Sequence, residues 1–160
     1  MFSIDRDTRI VPLSDLPAQD PGAPLPRVIA DGNKLILTYI TQGGDDVAVL
    51  SFLRPSAHSF GPPNDEALRD HPLYELGLRP YDNSEVLGSP WARELERRNR
   101  VHPNHDPKHF EALRHFAFTF HDETFECLAL DVTTVGVFRI EGGSDRRLLE
   151  LIGDQLRLIL

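Results

Sequence analysis

The sequence predicts an α+β protein built on an antiparallel sheet of about five or six strands with flanking helices. Three features support this fold class. Residues 27–53 contain short segments rich in β-branched side chains, residues 115–131 alternate with the period of a strand, and residues 144–160 follow the helical period. We expect both groups of strands to share one sheet, with the helices at 90–101 and 144–160.

Proline residues dominate the start of the chain. Each proline fixes its own φ and restricts the residue before it, so residues 1–26 are expected to be extended or irregular. These prolines are Pro12, Pro17, Pro21, Pro24 and Pro26. Apolar residues in the same stretch favour a strap that docks on the domain. The predicted organisation is a proline-rich N-terminal strap, residues 1–26, and a single α+β domain, residues 27–160.

Short turns divide residues 27–53 into a predicted meander of two or three antiparallel strands. In residues 35–40 both alternating sets of side chains are largely apolar. This pattern is typical of a central strand that is covered on both faces.

Residues 55–88 form a long connection that is rich in proline, glycine and apolar side chains. A connection of this length inside a compact domain is often functional. Asn64 is the expected N-cap of one helical turn. We name Asn64, Asp65 and His71 as candidate ligand-binding residues; the alternative is that their turns are stiff packing connectors.

Two dipeptides predict helix starts. Ser89-Pro90 combines a capping residue with proline at the first helical position, and Asp106-Pro107 repeats the pattern before a short helix at 108–114. Ser144 is the expected cap of the last helix.

The clearest hairpin joins residues 115–121 to residues 124–131. A loop around Asp122-Glu123 pairs Phe120 with Phe125, Phe118 with Cys127 and Phe116 with Ala129, which places these side chains in the core. In this register Thr119 lies opposite Glu126, and His121 lies diagonal to it.

This register brings an imidazole beside a carboxylate, the minimal unit of acid–base catalysis. His121, Glu126 and Asp122 are therefore the candidate catalytic residues. The alternative is a polar patch at a solvated hairpin tip.

A second histidine group has the spacing H-x2-H-x3-H. Its members are His102, His105 and His109, and three imidazoles with an open position suit zinc or another divalent metal. The alternative is that they are capping or surface histidines in a polar connector, because a helix break at Asp106-Pro107 falls among them.

The charge balance excludes some function classes. The net charge of −8 argues against general nucleic-acid binding and against docking on anionic membranes.

No run approaches the roughly 20 apolar residues of a membrane span, and the N-terminus lacks a signal-peptide pattern. The single cysteine, Cys127, permits no intramolecular disulfide, so a cytoplasmic protein is expected.

One stretch departs from the acidic average. Residues 91–121 hold six Lys and Arg against four Asp and Glu, a local +2, and five of the seven histidines. If the protein recognises a small anionic ligand or an acidic patch of a partner, this stretch is where we expect it to bind. Trp91 and Arg100, which lie in the stretch, are further candidate ligand-binding residues.

Four segments resemble those of a family of small bacterial proteins of unknown function. The segments are FGPPNDEA from Phe60, HPL from His71, NRVHP from Asn99 and RHFAFTFHDETFEC from Arg114. The resemblance covers roughly residues 58–130. It implies a bacterial cytosolic protein with the hairpin as its core. The resemblance carries no information about a catalytic or binding role.

The leading hypothesis is a cytosolic binding or protein-interaction module, such as an acidic, immunity-type inhibitor steered toward a basic partner. The alternative is a small hydrolase or lyase in the histidine-rich region 102–126. That enzyme would use either a bound divalent metal such as zinc or a His/Glu acid–base pair.

Overall fold

A computed structural model describes residues 4–139, 149–150 and 152–154. Residues 4–139 contain nine strands, two α-helices and two short 3-10 helices, and residues 149–150 and 152–154 are also helical. The strands are β1 (Arg9–Pro12), β2 (Arg27–Ala30), β3 (Lys34–Ile40), β4 (Asp46–Leu53), β5 (Ala57–Gly61), β6 (Asn83–Leu87), β7 (Arg114–Thr119), β8 (Thr124–Ala129) and β9 (Asp131–Arg139). The α-helices are α1 (Pro90–Asn99) and α2 (Pro107–Glu111), and the 3-10 helices are Leu68–Asp70 and Tyr74–Leu76.

The strands form two antiparallel sheets. One has five strands in the order β1-β6-β7-β8-β5, and the other has four in the order β2-β3-β4-β9. The predominance of antiparallel sheet agrees with the sequence, but the expectation of one shared sheet was wrong. Both the meander and the hairpin carry an apolar face, and packing these faces against each other covers both at once.

The main core lies between the two sheets. Phe52 of β4 contacts the rings of Phe116, Phe118 and Phe125, at centroid distances of 5.6, 6.0 and 5.3 Å. The other buried core residues are Leu35, Leu37, Tyr39, Ala48, Leu50, Phe120, Cys127 and Ala129. The hairpin face that the sequence assigned to the core is therefore in the core.

The opposite face of the four-stranded sheet is also covered. Ile36, Val47 and Val49 are buried there with Ile152. β3 lies between β2 and β4, as its two apolar faces predict. Residues 149–150 and 152–154 are helical, and the rest of the helix predicted at 144–160 lies outside the described residues.

The hairpin register differs from the predicted one by two residues. Phe118 pairs with Phe125, Phe116 pairs with Cys127, and the Phe120 N–H donates to the Glu123 carbonyl at 2.8 Å. The reason is a two-residue turn that closes between Phe120 and Glu123. A shift of two residues keeps every side chain on its predicted face but changes its cross-strand neighbour.

The N-terminal stretch adds an edge strand. β1 pairs with β6, and farther along the Tyr39 hydroxyl donates to the Pro17 carbonyl at 2.6 Å. An isolated bridge joins Gln19 to Thr41. Residues 4–26 thus touch both sheets.

The outer face of the five-stranded sheet is covered by the connection between β5 and β6 and by the two helices. Leu68, Leu73 and Leu78 of the connection are buried against the sheet. α1 and α2 lie beside them and pack over Leu113 and Leu128. In the part of the chain that the structure describes, no helix has the length and apolar content to cross a membrane.

Candidate functional site

A cavity of about 490 Å³ opens on the outer face of the five-stranded sheet. Its walls are α1 on one side and the connection 62–72 on the other, and β5 and β8 form its floor. This volume lies in the range of small-molecule sites, roughly 300–1,000 Å³.

The wall contributed by α1 follows the helical period. Trp91, Glu94, Leu95 and Arg98 face the cavity, and residues three and four apart lie on one side of a helix. Ser89 begins this helix, because its Oγ accepts a hydrogen bond from the Ala92 N–H at 3.1 Å. The predicted cap-and-proline start is confirmed, and it fixes the residue at which α1 begins.

The floor follows the strand period. Thr124 and Glu126 lie two apart on β8 and therefore on one face. Ser59 of β5 is the direct cross-strand partner of Glu126. The Thr124 hydroxyl donates to the Pro63 carbonyl at 2.9 Å, which ties the opposite wall to the floor.

Glu126 is the central polar group. Its Oε1 accepts from His71 Nε2 at 2.9 Å, and its Oε2 accepts from His115 Nε2 at 2.7 Å. The side chain is only 11% exposed. Burial acts to raise the pKa of Glu126, but the hydrogen bonds from His115 and His71 outweigh it and lower that pKa to about 2. The carboxylate is therefore ionised near neutral pH.

His71 is held by its own backbone. The Leu73 N–H donates to His71 Nδ1 at 3.1 Å. Because Nδ1 accepts this bond, the ring hydrogen is on Nε2, which donates to Glu126. Both nitrogens of His71 are thus used within the protein.

His115 links Glu126 to the start of α1. Its Nδ1 lies 2.9 Å from Ser89 Oγ, and its ring packs against Trp91 at a centroid distance of 5.4 Å. Ser89, His115 and Glu126 are the residue types of a hydrolytic triad. However, His115 is fully buried and Ser89 does not line the cavity, so this arrangement orients Glu126 rather than presenting a nucleophile.

The rim of the cavity is charged. Glu94 accepts from Arg97 at 2.7 Å and from Arg98 at 2.6 Å. These hydrogen bonds lower the pKa of Glu94 to about 2, so it stays ionised. Asp70 adds a further exposed carboxylate from the connection.

His121 lies outside this cavity and has a different partner from the predicted one. Its Nδ1 is 3.0 Å from Asp65 Oδ2, and the Tyr81 hydroxyl donates to the same oxygen. The Tyr81 hydrogen bond is the largest influence that lowers the pKa of Asp65. The structure does not bring His121 to Glu126, and Asp122 is exposed in the hairpin turn.

The three candidate metal ligands each have separate neighbours. His105 bonds Glu96 and Asn99 at 2.9 Å each, the Asn104 N–H donates to His102 Nδ1 at 3.0 Å, and His109 Nε2 lies 3.2 Å from Ser56 Oγ. Within residues 4–139 and the short described segments after them, no three His, Cys, Asp or Glu side chains are placed to hold a metal ion.

Of the predicted ligand-binding residues, His71 and Trp91 line the cavity, where they meet Glu126. Asn64 accepts from the Ala67 N–H at 3.0 Å and so caps its turn, while Arg100 pairs with Glu96 at 2.8 Å. The sequence places His115 on the same hairpin face, as a hydrogen-bonded structural histidine, but it does not bring His115 to Glu126, and it gives no signal for Ser59 or Thr124 as parts of the site. In the observed pairing β7 is shifted by two residues from the predicted one. Ala117 therefore lies opposite Glu126, and His115 lies diagonal to it.

Comparisons with known proteins give no matching family model, no matching curated protein and no matching solved structure. The resemblance of residues 58–130 to a small bacterial family stays a prediction.

Proposed function

We propose that this protein is a binding module that holds a small organic ligand in the cavity between α1 and the connection 62–72. The observation that carries the proposal is a buried carboxylate, Glu126, fixed by two imidazoles at the floor of a cavity with apolar walls. Such sites combine an apolar lining with few oriented polar groups. Of the two binding hypotheses from the sequence, a protein partner and a small ligand, this cavity favours the second.

Binding is favoured over catalysis at this site because of where the imidazoles point. A general base must reach the proton that it removes. His71 and His115 instead direct their Nε2 atoms to Glu126. A carboxylate with such a low pKa is in turn a weak base.

A fragment screen tests the proposal. Ligand-observed NMR would be run on a library containing cations, neutral molecules and anions. Ala67 lines the cavity and is exposed, so Ala67→Phe fills the space with little effect on the core. Ala30→Phe is the matched control, because it adds the same ring to an exposed position on β2 in the other sheet.

We expect fragments that bind the wild type and Ala30→Phe and are lost in Ala67→Phe. Their binding should also change the fluorescence of Trp91, the single tryptophan of the chain. If no fragment of any charge shows binding that Ala67→Phe removes, the proposal is wrong.

A second candidate, an acid–base enzyme, is favoured by His121 and Asp65. A carboxylate at Nδ1 orients an imidazole so that Nε2 can act on a substrate. In the described part of the chain His121 Nε2 has no hydrogen-bond partner, and the side chain is 45% exposed.

Turnover of nitrophenyl esters and phosphate esters tests this candidate. Activity should be abolished in His121→Gln and reduced in Asp65→Asn, with His58→Gln as the control for a histidine at an exposed position. Absence of turnover, or turnover that survives His121→Gln, excludes it.

A further inference from the structure

We infer that the ligand of the Glu126 cavity is a small organic cation, an ammonium or guanidinium group attached to an aromatic or aliphatic body. This inference rests on the proposed function and names the chemical class of the ligand. It follows from the charges, the hydrogen-bonding capacity and the walls of the cavity.

The cavity has a negative formal charge. Its described lining contains three carboxylates, those of Asp70, Glu94 and Glu126, and one guanidinium, that of Arg98. The balance is −2 with His71 neutral, and protonation of His71 would still leave −1. Glu94 is paired with both Arg97 and Arg98, at 2.7 and 2.6 Å, so the negative charge of the lining that no arginine neutralises lies on Glu126 and Asp70. A low-dielectric floor strengthens the attraction of such a site for a cation.

The polar atoms at the floor are mostly acceptors. His71 and His115 each use one lone pair of Glu126, and an ionised carboxylate has about four such positions. The hydrogen of the Thr124 hydroxyl is used at Pro63, so its oxygen remains as an acceptor. Ser59 lies directly across from Glu126 and adds another hydroxyl oxygen. An ammonium has three donors and no acceptor, and therefore complements this floor.

The walls accommodate the body of such a ligand. Trp91 and Leu95 lie on α1, and Pro62, Pro63 and Pro72 face them from the connection. Tryptophan is the side chain that attracts cations most strongly over its ring face. An apolar group packed between these walls would place its charged end over the carboxylate.

This charge preference is opposite to that of the small anionic ligand expected from residues 91–121. The arginines of α1 near the cavity, including Arg98 at its rim, are already paired with carboxylates of the same helix. Arg97 and Arg98 pair with Glu94, and Arg100 pairs with Glu96. An anion placed at the cavity floor would face Glu126 without a cation to neutralise it.

Three probes with one phenyl body and different charges test the inference. They are phenethylamine, 2-phenylethanol and phenylacetate, titrated by calorimetry and by Trp91 fluorescence. We expect the amine to bind about tenfold or more tightly than the alcohol, because it gains charge-assisted hydrogen bonds, and the acid to bind most weakly. Rising salt should weaken only the amine.

Variants locate the effect. Glu126→Gln should reduce amine affinity to about that of the alcohol, but this change also perturbs a buried network. Asp70→Asn is therefore the second variant, because Asp70 is exposed and its loss lowers the negative charge without touching the core. It should weaken the amine severalfold and leave the alcohol unchanged. Glu66→Gln, an exposed position outside the lining, should change neither.

The outcomes separate the two proposals. If the alcohol or the acid binds as tightly as the amine, or if the amine fails to bind up to its solubility, the ligand class is wrong. The small-ligand function would still stand if other fragments bind to the wild type and do not bind to Ala67→Phe. If no fragment behaves in that way, both proposals fail.

Discussion

Removing the charge of Glu126 while keeping its shape should destabilise the fold by on the order of 3 kcal/mol near neutral pH. The pKa of Glu126 falls from an ordinary 4.5 to about 2 on folding, because the hydrogen bonds from His115 and His71 outweigh burial. One pKa unit corresponds to about 1.4 kcal/mol, so this fall in pKa corresponds to a stabilisation on the order of 3 kcal/mol. Glu126→Gln loses this contribution, and its amide can accept from one imidazole only. The other buried N–H then faces an amide NH₂, which by itself costs about 1–3 kcal/mol.

The sign of the pH dependence follows from the direction of the shift. A carboxyl whose pKa is lowered by folding stabilises the folded state above its unfolded pKa, and this contribution is lost as the pH falls toward its folded pKa. The wild type should therefore lose Glu126 stabilisation between about pH 5 and pH 2. Glu126→Gln has nothing to lose there, so the difference between the two proteins should shrink to roughly half at about pH 3.

Urea unfolding followed by circular dichroism measures both effects. It would be run at neutral pH and at about pH 3 on the wild type, Glu126→Gln and the control Glu66→Gln, which should lie within about 0.5 kcal/mol of the wild type. A difference below about 1 kcal/mol at neutral pH would refute the reasoning. So would a difference that does not narrow on acidification, since the stabilisation would then not come from the ionised carboxylate.

Three further predictions concern packing and backbone. Gly88 has φ +61, and an added Cβ would lie 2.5 Å from the Asp7 carbonyl oxygen. Gly88→Ala should therefore lower the melting temperature by several degrees. Gly32→Ala is the control and should leave the melting temperature unchanged, because Gly32 has open space around it. Phe118 is fully buried between the sheets, so Phe118→Ala should cost about 3–5 kcal/mol in urea unfolding; a loss below about 1 kcal/mol would contradict the assigned core. Burial raises the pKa of the Cys127 thiol to about 12, so iodoacetamide should label the native protein far more slowly than the urea-unfolded one, and equal rates would contradict its burial.

The parts of the fold that the sequence predicts well are those with strong local signals. The alternation of Phe116, Phe118 and Phe120 identifies a core strand, and the Ser89 cap fixes the start of α1. β5 and β6 gave no comparable signal. β5 is an edge strand with three exposed residues in succession, so its side chains lack the apolar alternation on which strand prediction depends.

The number of sheets is not a local property. Nothing in residues 34–53 or 114–129 states whether their apolar faces lie side by side or face to face. The aromatic contacts of Phe52 with the hairpin decide it, and they join residues more than 60 positions apart in sequence. Long-range packing of this kind overrides what local periodicity can specify.

The site was predicted as separate residues rather than as an arrangement. The sequence indicates Glu126 as a catalytic residue and His71 and Trp91 as ligand-binding residues, and all three line the cavity. The path of the connection 62–72 could not be predicted from the sequence. The connection folds back over β8 and places His71 beside Glu126, which is 55 positions away along the chain. Its turns are specified by capping at Asn64 and by prolines, whereas its destination depends on the burial of Leu68 and Leu73 against the sheet.

One register decides the chemistry of Glu126. In the predicted pairing its neighbour was His121, a half-exposed imidazole at a hairpin tip, which suits an acid–base catalyst. In the observed pairing Ala117 lies opposite Glu126, and the diagonal neighbour is His115, which is fully buried under α1. Glu126 therefore has no contact with the accessible imidazole of His121. It accepts a hydrogen bond from the buried imidazole of His115, which orients the carboxylate. A shift of two residues, invisible to the hydrophobic pattern, thus favours a fixed negative charge for binding over a mobile proton for catalysis.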